Sequence, residues 1–249
     1  MLPINTIFHD DFLANTLPNE SIDLVVTDPP YKTITGGNNN GKYSKRPCGM
    51  LSNNTKLFAH QKISISDWMP QIFRVLKNGS HCYIFSNALN LREMLNESDE
   101  AGFKLHNLLV WQKNNCTPSQ YYMKNCEYIL FLRKGKAKWI NDIGGSKTVH
   151  QFNNIIGEKL HPCEKPTELL KMYIQNSSNE TDIVLDPFVG AGSTMLAAIE
   201  LNRRYIGYEI DENYYEITKN RISAKYKCKN KYQKEIEKRI EQYNESCQQ

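Results

Sequence analysis

Short runs of aliphatic and β-branched residues alternate along the chain with stretches whose apolar positions recur every three or four residues, the pattern of strand–helix alternation. Residues 4–8 read as a short strand ending at His9-Asp10-Asp11, and residues 12–20 as a short helix and turn. Ile22-Asp23-Leu24-Val25-Val26-Thr27 reads as a buried strand. A helix is predicted from Ser66-Asp67, with Ser66 as its cap, an apolar face of Trp68, Ile72, Phe73, Val75 and Leu76, and Lys77-Asn78-Gly79 as its end. His81 to Phe85 reads as a strand, residues 87–100 as a helix, and residues 105–111 and 127–132 as two further strands. With no helix between them, those last two predict an antiparallel hairpin on an otherwise parallel sheet. Beyond them the pattern predicts a helix over 167–176, a strand over 181–185, a helix over 194–201, a strand over 205–208 and a helix over 211–243.

A chain of 249 residues fits one α/β domain with an insertion as well as two small domains. Its formal charge of +4 makes the placement of basic residues more informative than their sum. No apolar run has the length of a membrane span and no signal-peptide pattern opens the chain, so the expected compartment is the cytosol. The seven cysteines include no C-x-x-C pair, which predicts neither a metal site nor a disulfide framework. Cys82, inside a strand-like run, reads as a small apolar residue.

Periodicity fails in two long stretches. Residues 32–62 carry a Gly/Asn-rich run and then Lys42, Lys45 and Arg46, and read as a lid with a basic tip or a solvated insertion. Residues 133–160 interleave Lys134, Lys136, Lys138 and Lys147 with Trp139, His150 and Phe152. That mixture fits nucleic-acid contact as well as it fits a solvated loop. Residues 222–249 form a charged helical tail.

Asp28-Pro29-Pro30-Tyr31 stands at the carboxyl end of the second strand, where open α/β sheets place their chemistry. The prolines stiffen an array of a carboxylate and carbonyls beside an aromatic ring. Such an array suits a planar amine, whose two N–H groups find two acceptors while its ring stacks. A tetrapeptide of this kind is also an ordinary strand exit. A second constellation is Asp186-Pro187-Phe188-Val189-Gly190-Ala191-Gly192-Ser193-Thr194, a strand, glycine turn and helix, with Glu209 ending the following strand. This layout binds an adenosyl group: the glycines admit the ligand to the backbone, and the acid accepts from ribose hydroxyls. Met195 stands where a third glycine would be, and no lysine in the turn grips a phosphate, so S-adenosylmethionine fits better than a pyrophosphate cofactor.

Taken together, the two motifs resemble those of the amino-methylating DNA methyltransferases that act on adenine N6 or cytosine N4, in the order of their β group. The resemblance implies one catalytic domain over residues 1–249. Its fold is a Rossmann-like S-adenosylmethionine-dependent methyltransferase α/β fold: a mostly parallel seven-stranded sheet with one antiparallel strand, circularly permuted. It implies catalytic roles for Asp28, Pro29, Pro30 and Tyr31, and target recognition by residues 133–160. It also assigns His161, Cys163 and Lys165 to the methionine end of the cofactor, and Asp11 to its adenine. Trp111-x-Lys113 resembles a further motif beside the target base. Cys163 replaces a frequent Thr and Ala191 a frequent Ser. Lys42, Lys45, Arg46, Lys113, Lys136, Lys138 and Lys147 are the expected contacts to double-stranded DNA. Asp28 at the first motif position favours adenine, because cytosine-N4 relatives usually begin with Ser there. A cytosine-N4 enzyme and a cofactor-binding DNA regulator without turnover are the alternatives. A homodimer and an accompanying restriction endonuclease stay open as partners.

Overall fold

The computed structural model describes residues 2–30, 63–117, 122–155, 157, 160 and 164–246. Eight strands form one sheet: β1 (Thr6–Phe8), β2 (Ile22–Thr27), β3 (Leu76–Ser86), β4 (Lys104–Thr117), β5 (Lys124–Arg133), β6 (Val149–Gln151), β7 (Ile183–Asp186) and β8 (Arg204–Tyr208). Their order is β1-β8-β7-β2-β3-β5-β4-β6. Only β5 opposes the others, pairing antiparallel with both β3 and β4. The helices are α1 (Ile65–Val75), α2 (Leu91–Glu100), α3 (Thr167–Ser177), α4 (Ser193–Glu200) and α5 (Glu212–Ser246).

Alternation along the central strands divides the core between two faces. Val25, Cys82, Ile84, Leu130, Leu132 and Leu185 meet Trp68, Met69 and Ile72 of α1. Leu24, Val26, Tyr83, Phe85, Ile129 and Val184 meet Leu169, Tyr173 and Ile174 of α3 and Met195 of α4. Leu24, Val25 and Val26 are all wholly buried, and each such side chain contributes about 1.5–3 kcal/mol of transfer free energy. Phe85 and Leu24 thus serve one layer while their chain neighbours serve the other, which fixes the register.

Three local expectations are corrected. The α1 helix starts earlier than predicted: Ser64 is its cap, and the Asp67 carboxylate reaches back to accept from the Ser64 N–H at 3.1 Å. Ser64 and Asp67 have the three-residue spacing of a capping box, which Ser66 lacks. Lys77-Asn78-Gly79 does not end that helix but lies inside β3. Gly79, at φ +83°, donates to Lys134 O at 2.9 Å beside a register shift between β2 and β3, so it marks a bulge. The sheet has an eighth strand, since Val149–Gln151 pairs parallel with Val110, Trp111 and Gln112 of β4. Val-His-Gln is too short and too polar to announce a strand. The predicted hairpin of β4 and β5 is present, and longer than its apolar runs.

Among the described residues, no helix is long and apolar enough to cross a membrane.

Candidate active site

The central strands β2 and β7 are parallel neighbours, with Leu24 opposite Val184 and Val25 opposite Leu185. Their carboxyl ends therefore emerge side by side, and the two sequence motifs meet there. Thr27 Oγ1 donates to Asp186 Oδ1 at 2.7 Å, bridging 159 positions of chain, and the Phe188 N–H donates to the same oxygen at 3.1 Å. Thr27, Asp28, Phe85, Lys165, Asp186 and Gly190 are among the residues lining the resulting cleft.

Behind it, the turn from β7 into α4 is held from three sides. Gly190 and Gly192 have φ of +53° and +83°, which L side chains rarely adopt. A Cβ on Gly192 would lie 2.6 Å from Thr218 Cγ2 of α5, so packing against α5 by itself requires glycine here. Thr218 Oγ1 donates to Gly190 O at 2.7 Å, and Arg221 donates to Ala191 O. From the third side, Glu209 Oε2 accepts from the Gly190 N–H at 2.7 Å and Oε1 from the Asp211 N–H at 2.9 Å. Met195 is wholly buried where a third glycine was absent. Close helix–strand packing comes from Gly207 instead, whose Cβ would lie 2.4 Å from Val189 Cγ2 and 3.3 Å from Met195 Sδ.

Acceptors dominate the electrostatics of the cleft. Burial raises Asp186 most, the Asp28 charge adds to this, and hydrogen bonds from Thr27, Thr194 and Phe188 offset part of it, leaving the carboxyl pushed up to about 6. Burial likewise raises Glu209 above the usual carboxylate range, against its two backbone hydrogen bonds. The described cations beside these acids are engaged: Arg221 pairs with Glu164 at 2.8 Å and Lys165 with Asp28. Carboxylates and carbonyls with committed cations suit a cationic, hydroxyl-bearing ligand and oppose a pyrophosphate. S-adenosylmethionine, with its sulfonium, ammonium and ribose diol, meets that requirement. The residues that would hold it are Asp186, the Phe188–Ala191 backbone and Glu209.

Sequence reasoning missed one group that stands behind the site. Glu127, near the start of β5, pairs through Oε1 with Lys113 and lies 3.3 Å through Oε2 from Lys165 Nζ. Lys165 also pairs with Asp28. The result is a chain of alternating charges, Lys113–Glu127–Lys165–Asp28, between aromatic rings: Lys113 Nζ is 4.6 Å from the Trp111 centroid and Lys165 Nζ 5.1 Å from that of Phe85. Burial opposes the charged form of Glu127, but Lys165 and Lys113 outweigh it and hold the carboxyl below its ordinary range. The available signal was a lone acid opening an apolar strand, opposite Trp111 in register.

The other expected residues scatter. Asp11 follows β1 at the same edge of the sheet as Glu209, where its Oδ1 caps a short 3-10 turn by accepting from Leu13 N–H at 2.9 Å. The Lys113 ammonium is committed to Glu127 rather than extended toward solvent. Lys136 and Lys138 sit at the opposite, amino-terminal edge: the Lys138 N–H donates to Gly79 O at 3.1 Å, and its ammonium lies 4.0 Å from Asp182. Lys138 and Lys147 line a separate pocket of about 620 Å³ over β3, β5 and β4, with His81, Arg133 and Trp139. The tail expected over 222–249 continues α5 as far as Ser246, and the first turns of that helix brace the glycine turn through Thr218 and Arg221. Tyr31, Lys42, Lys45, Arg46, His161 and Cys163 lie outside the described residues.

A parallel sheet with one reversed strand, and an acidic proline motif beside a glycine turn at its carboxyl edge, place the protein in the class of Rossmann-like domains that bind a nucleotide-derived ligand. A family model described as DNA methylase, of the N6/N4 type, matches residues 22–220, and the chain belongs to that family of amino-methylating DNA methyltransferases. Its relatives include the type II methyltransferase M2.DpnII of Streptococcus pneumoniae, 29% identical over 235 residues, covering 86% of each chain. The type II methyltransferase M2.MboI of Moraxella bovis is 27% identical over 268 residues, covering 92% of this chain and 91% of that one. Among solved structures, the M1.HpyAVI–SAM complex matches with a TM-score of 0.64 at 26% identity, over 87% of this chain and 98% of that one. The cytosine-N4-specific PvuII DNA methyltransferase shares the fold at 17% identity, with a TM-score of 0.65 over 86% and 84% of the two chains.

Proposed function

We propose that this chain transfers the methyl group of S-adenosylmethionine to the exocyclic N6 amine of adenine in DNA. The observation that carries the reading is the adjacency of Asp28 and Asp186 at neighbouring strand ends, with the Thr27–Asp186 hydrogen bond tying the two motifs into one cleft. S-adenosylmethionine, when bound, supplies an electrophilic methyl on a sulfonium. An adenine amine is a poor nucleophile because its lone pair is delocalised into the ring. Hydrogen bonds from its two N–H groups to the Asp28 carboxylate and the Pro29 carbonyl favour a pyramidal nitrogen, and the carboxylate stabilises the positive charge that develops there. An amine inside a duplex is out of reach, so the base is flipped, with Tyr31 as its stacking platform. Asp28 rather than Ser at the first motif position supports adenine over cytosine.

Tritium transfer from labelled S-adenosylmethionine to DNA of a methylation-deficient bacterial strain tests the reading, with nucleoside chromatography of the product. The expected product is N6-methyladenine, and Asp28→Ala abolishes it while cofactor affinity by calorimetry stays within about threefold. Turnover retained by Asp28→Ala would refute the role of Asp28, and N4-methylcytosine would refute the choice of base.

A further inference from the structure

We infer that Glu127 is a positioning residue for methyl transfer, holding the Lys165 ammonium between two carboxylates so that Asp28 stays available to the incoming amine. The inference rests on the reading of Asp28 given above. Glu127 is absent from the residues lining the cleft, so its influence runs through Lys165. Lys165 is only 6% exposed and reaches Asp28 on one side and Glu127, at 3.3 Å, on the other. A desolvated ammonium facing Asp28 alone would grip that carboxylate strongly and compete with the amine N–H for it. A second carboxylate divides that attraction. Lys113 in turn neutralises Glu127, which would otherwise draw Lys165 away. The four groups sum to zero charge, and each inner member is shared by two partners.

Among the described residues, the other charged groups lining the cleft with Asp28 are Asp186 from β7 and Glu164 ahead of α3, which pairs with Arg221 from α5. Asp186, pushed up to about 6, also ionises within the pH range of such a rate profile, so the informative quantity is the displacement of the acidic limb between variants. Removing the charge of Glu127 strengthens the hold of Lys165 on Asp28, and removing that of Lys113 lets Glu127 pull Lys165 from Asp28. The two substitutions therefore act on Asp28 with opposite sign.

The test measures kcat and KM for DNA from the methylation-deficient strain between pH 5 and about 9, using Glu127→Gln, Lys113→Met, the double variant and Asp28→Ala. Glu127→Gln is expected to lower kcat/KM about tenfold and move the acidic limb down by about half a pH unit; Lys113→Met moves it up by about as much. In the double variant the limb returns to its original place and kcat/KM recovers to within about threefold of the parent, with cofactor affinity unchanged throughout. Limbs that stay fixed or move together, or a double variant no better than the worse single one, would overturn the inference. If either single variant is unfolded by circular dichroism, the double variant decides alone, and a hundredfold loss there overturns it. Turnover by Asp28→Ala removes the reading of Asp28 itself. An inactive Asp28→Ala with limbs that do not diverge removes only the role of Glu127.

Discussion

Asp186→Asn probes the cleft without disturbing its shape. The carboxyl is wholly enclosed, and its pKa stands near 6 against an ordinary 3.8. That difference corresponds to about 3 kcal/mol at 1.36 kcal/mol per unit. The sign follows from linkage. A carboxyl whose folded value is raised binds its proton more tightly in the folded state, so its stabilising contribution is full below the unfolded value and lost as pH rises through about 6. Asparagine retains an acceptor for Thr27 Oγ1 and the Phe188 N–H but cannot ionise. Urea unfolding of parent and variant without cofactor, followed by tryptophan fluorescence from pH 4 to about 7, measures the effect. The difference in unfolding free energy should move in favour of the variant by about 2.4 kcal/mol across that range, the rest having been lost below pH 4. Other carboxylates titrate in both proteins and cancel. A difference that is flat to within about 0.5 kcal/mol would refute the assignment. The same ionisation predicts that affinity for the cationic cofactor weakens as pH falls through about 6 in the parent and is weaker but pH-independent in the variant.

Three further substitutions test the scaffold. Glu209→Ala removes the acceptor that holds the Gly190 N–H, and cofactor affinity should fall by about tenfold or more; unchanged calorimetric affinity counts against its role. Gly192→Ala sets a Cβ in the left-handed region 2.6 Å from Thr218 Cγ2, a loss of about 2–4 kcal/mol. Thr218→Ser in that background removes the clashing methyl and should restore part of the loss in urea melts, and no recovery would show that the clash is not the cause. Lys134 donates to Phe73 O at 2.9 Å and Leu76 O at 2.8 Å. Lys134→Met strands both carbonyls and should cost about 2–4 kcal/mol, so an unmoved unfolding midpoint would dismiss it as a clamp.

Elements buried on both faces were legible because their chemistry is local. The runs at Leu24-Val25-Val26 and Ile183-Val184-Leu185 allow no reading but buried strands, and the glycine turn after Asp186 specifies its own geometry. Partnership across the sheet was not legible in the same way. Lys113 looks like a cation available to phosphate, and only strand pairing shows it committed to Glu127. Glu127 acquires its meaning from the antiparallel register that sets it opposite Trp111. Gly192 reads from the sequence as a ligand-facing glycine, and the further constraint set by Thr218, on a helix 26 positions away, appears only in the fold. Position 79 shows the same limit at short range: glycine after a helical run fits a cap and a bulge equally, and the Lys134 carbonyl decides between them.

The neighbourhood of β2 and β7 also governs how the protein comes into being. A nascent chain releases the acidic proline motif early, with β3 available to one flank of β2, but the strand for its other flank is made more than a hundred and fifty positions later. Until then the edge of β2 is uncovered and no donor pocket exists for the motif to face. A product truncated between Tyr31 and Ile183 would carry the whole tetrapeptide and lack the strand that bears the glycine turn.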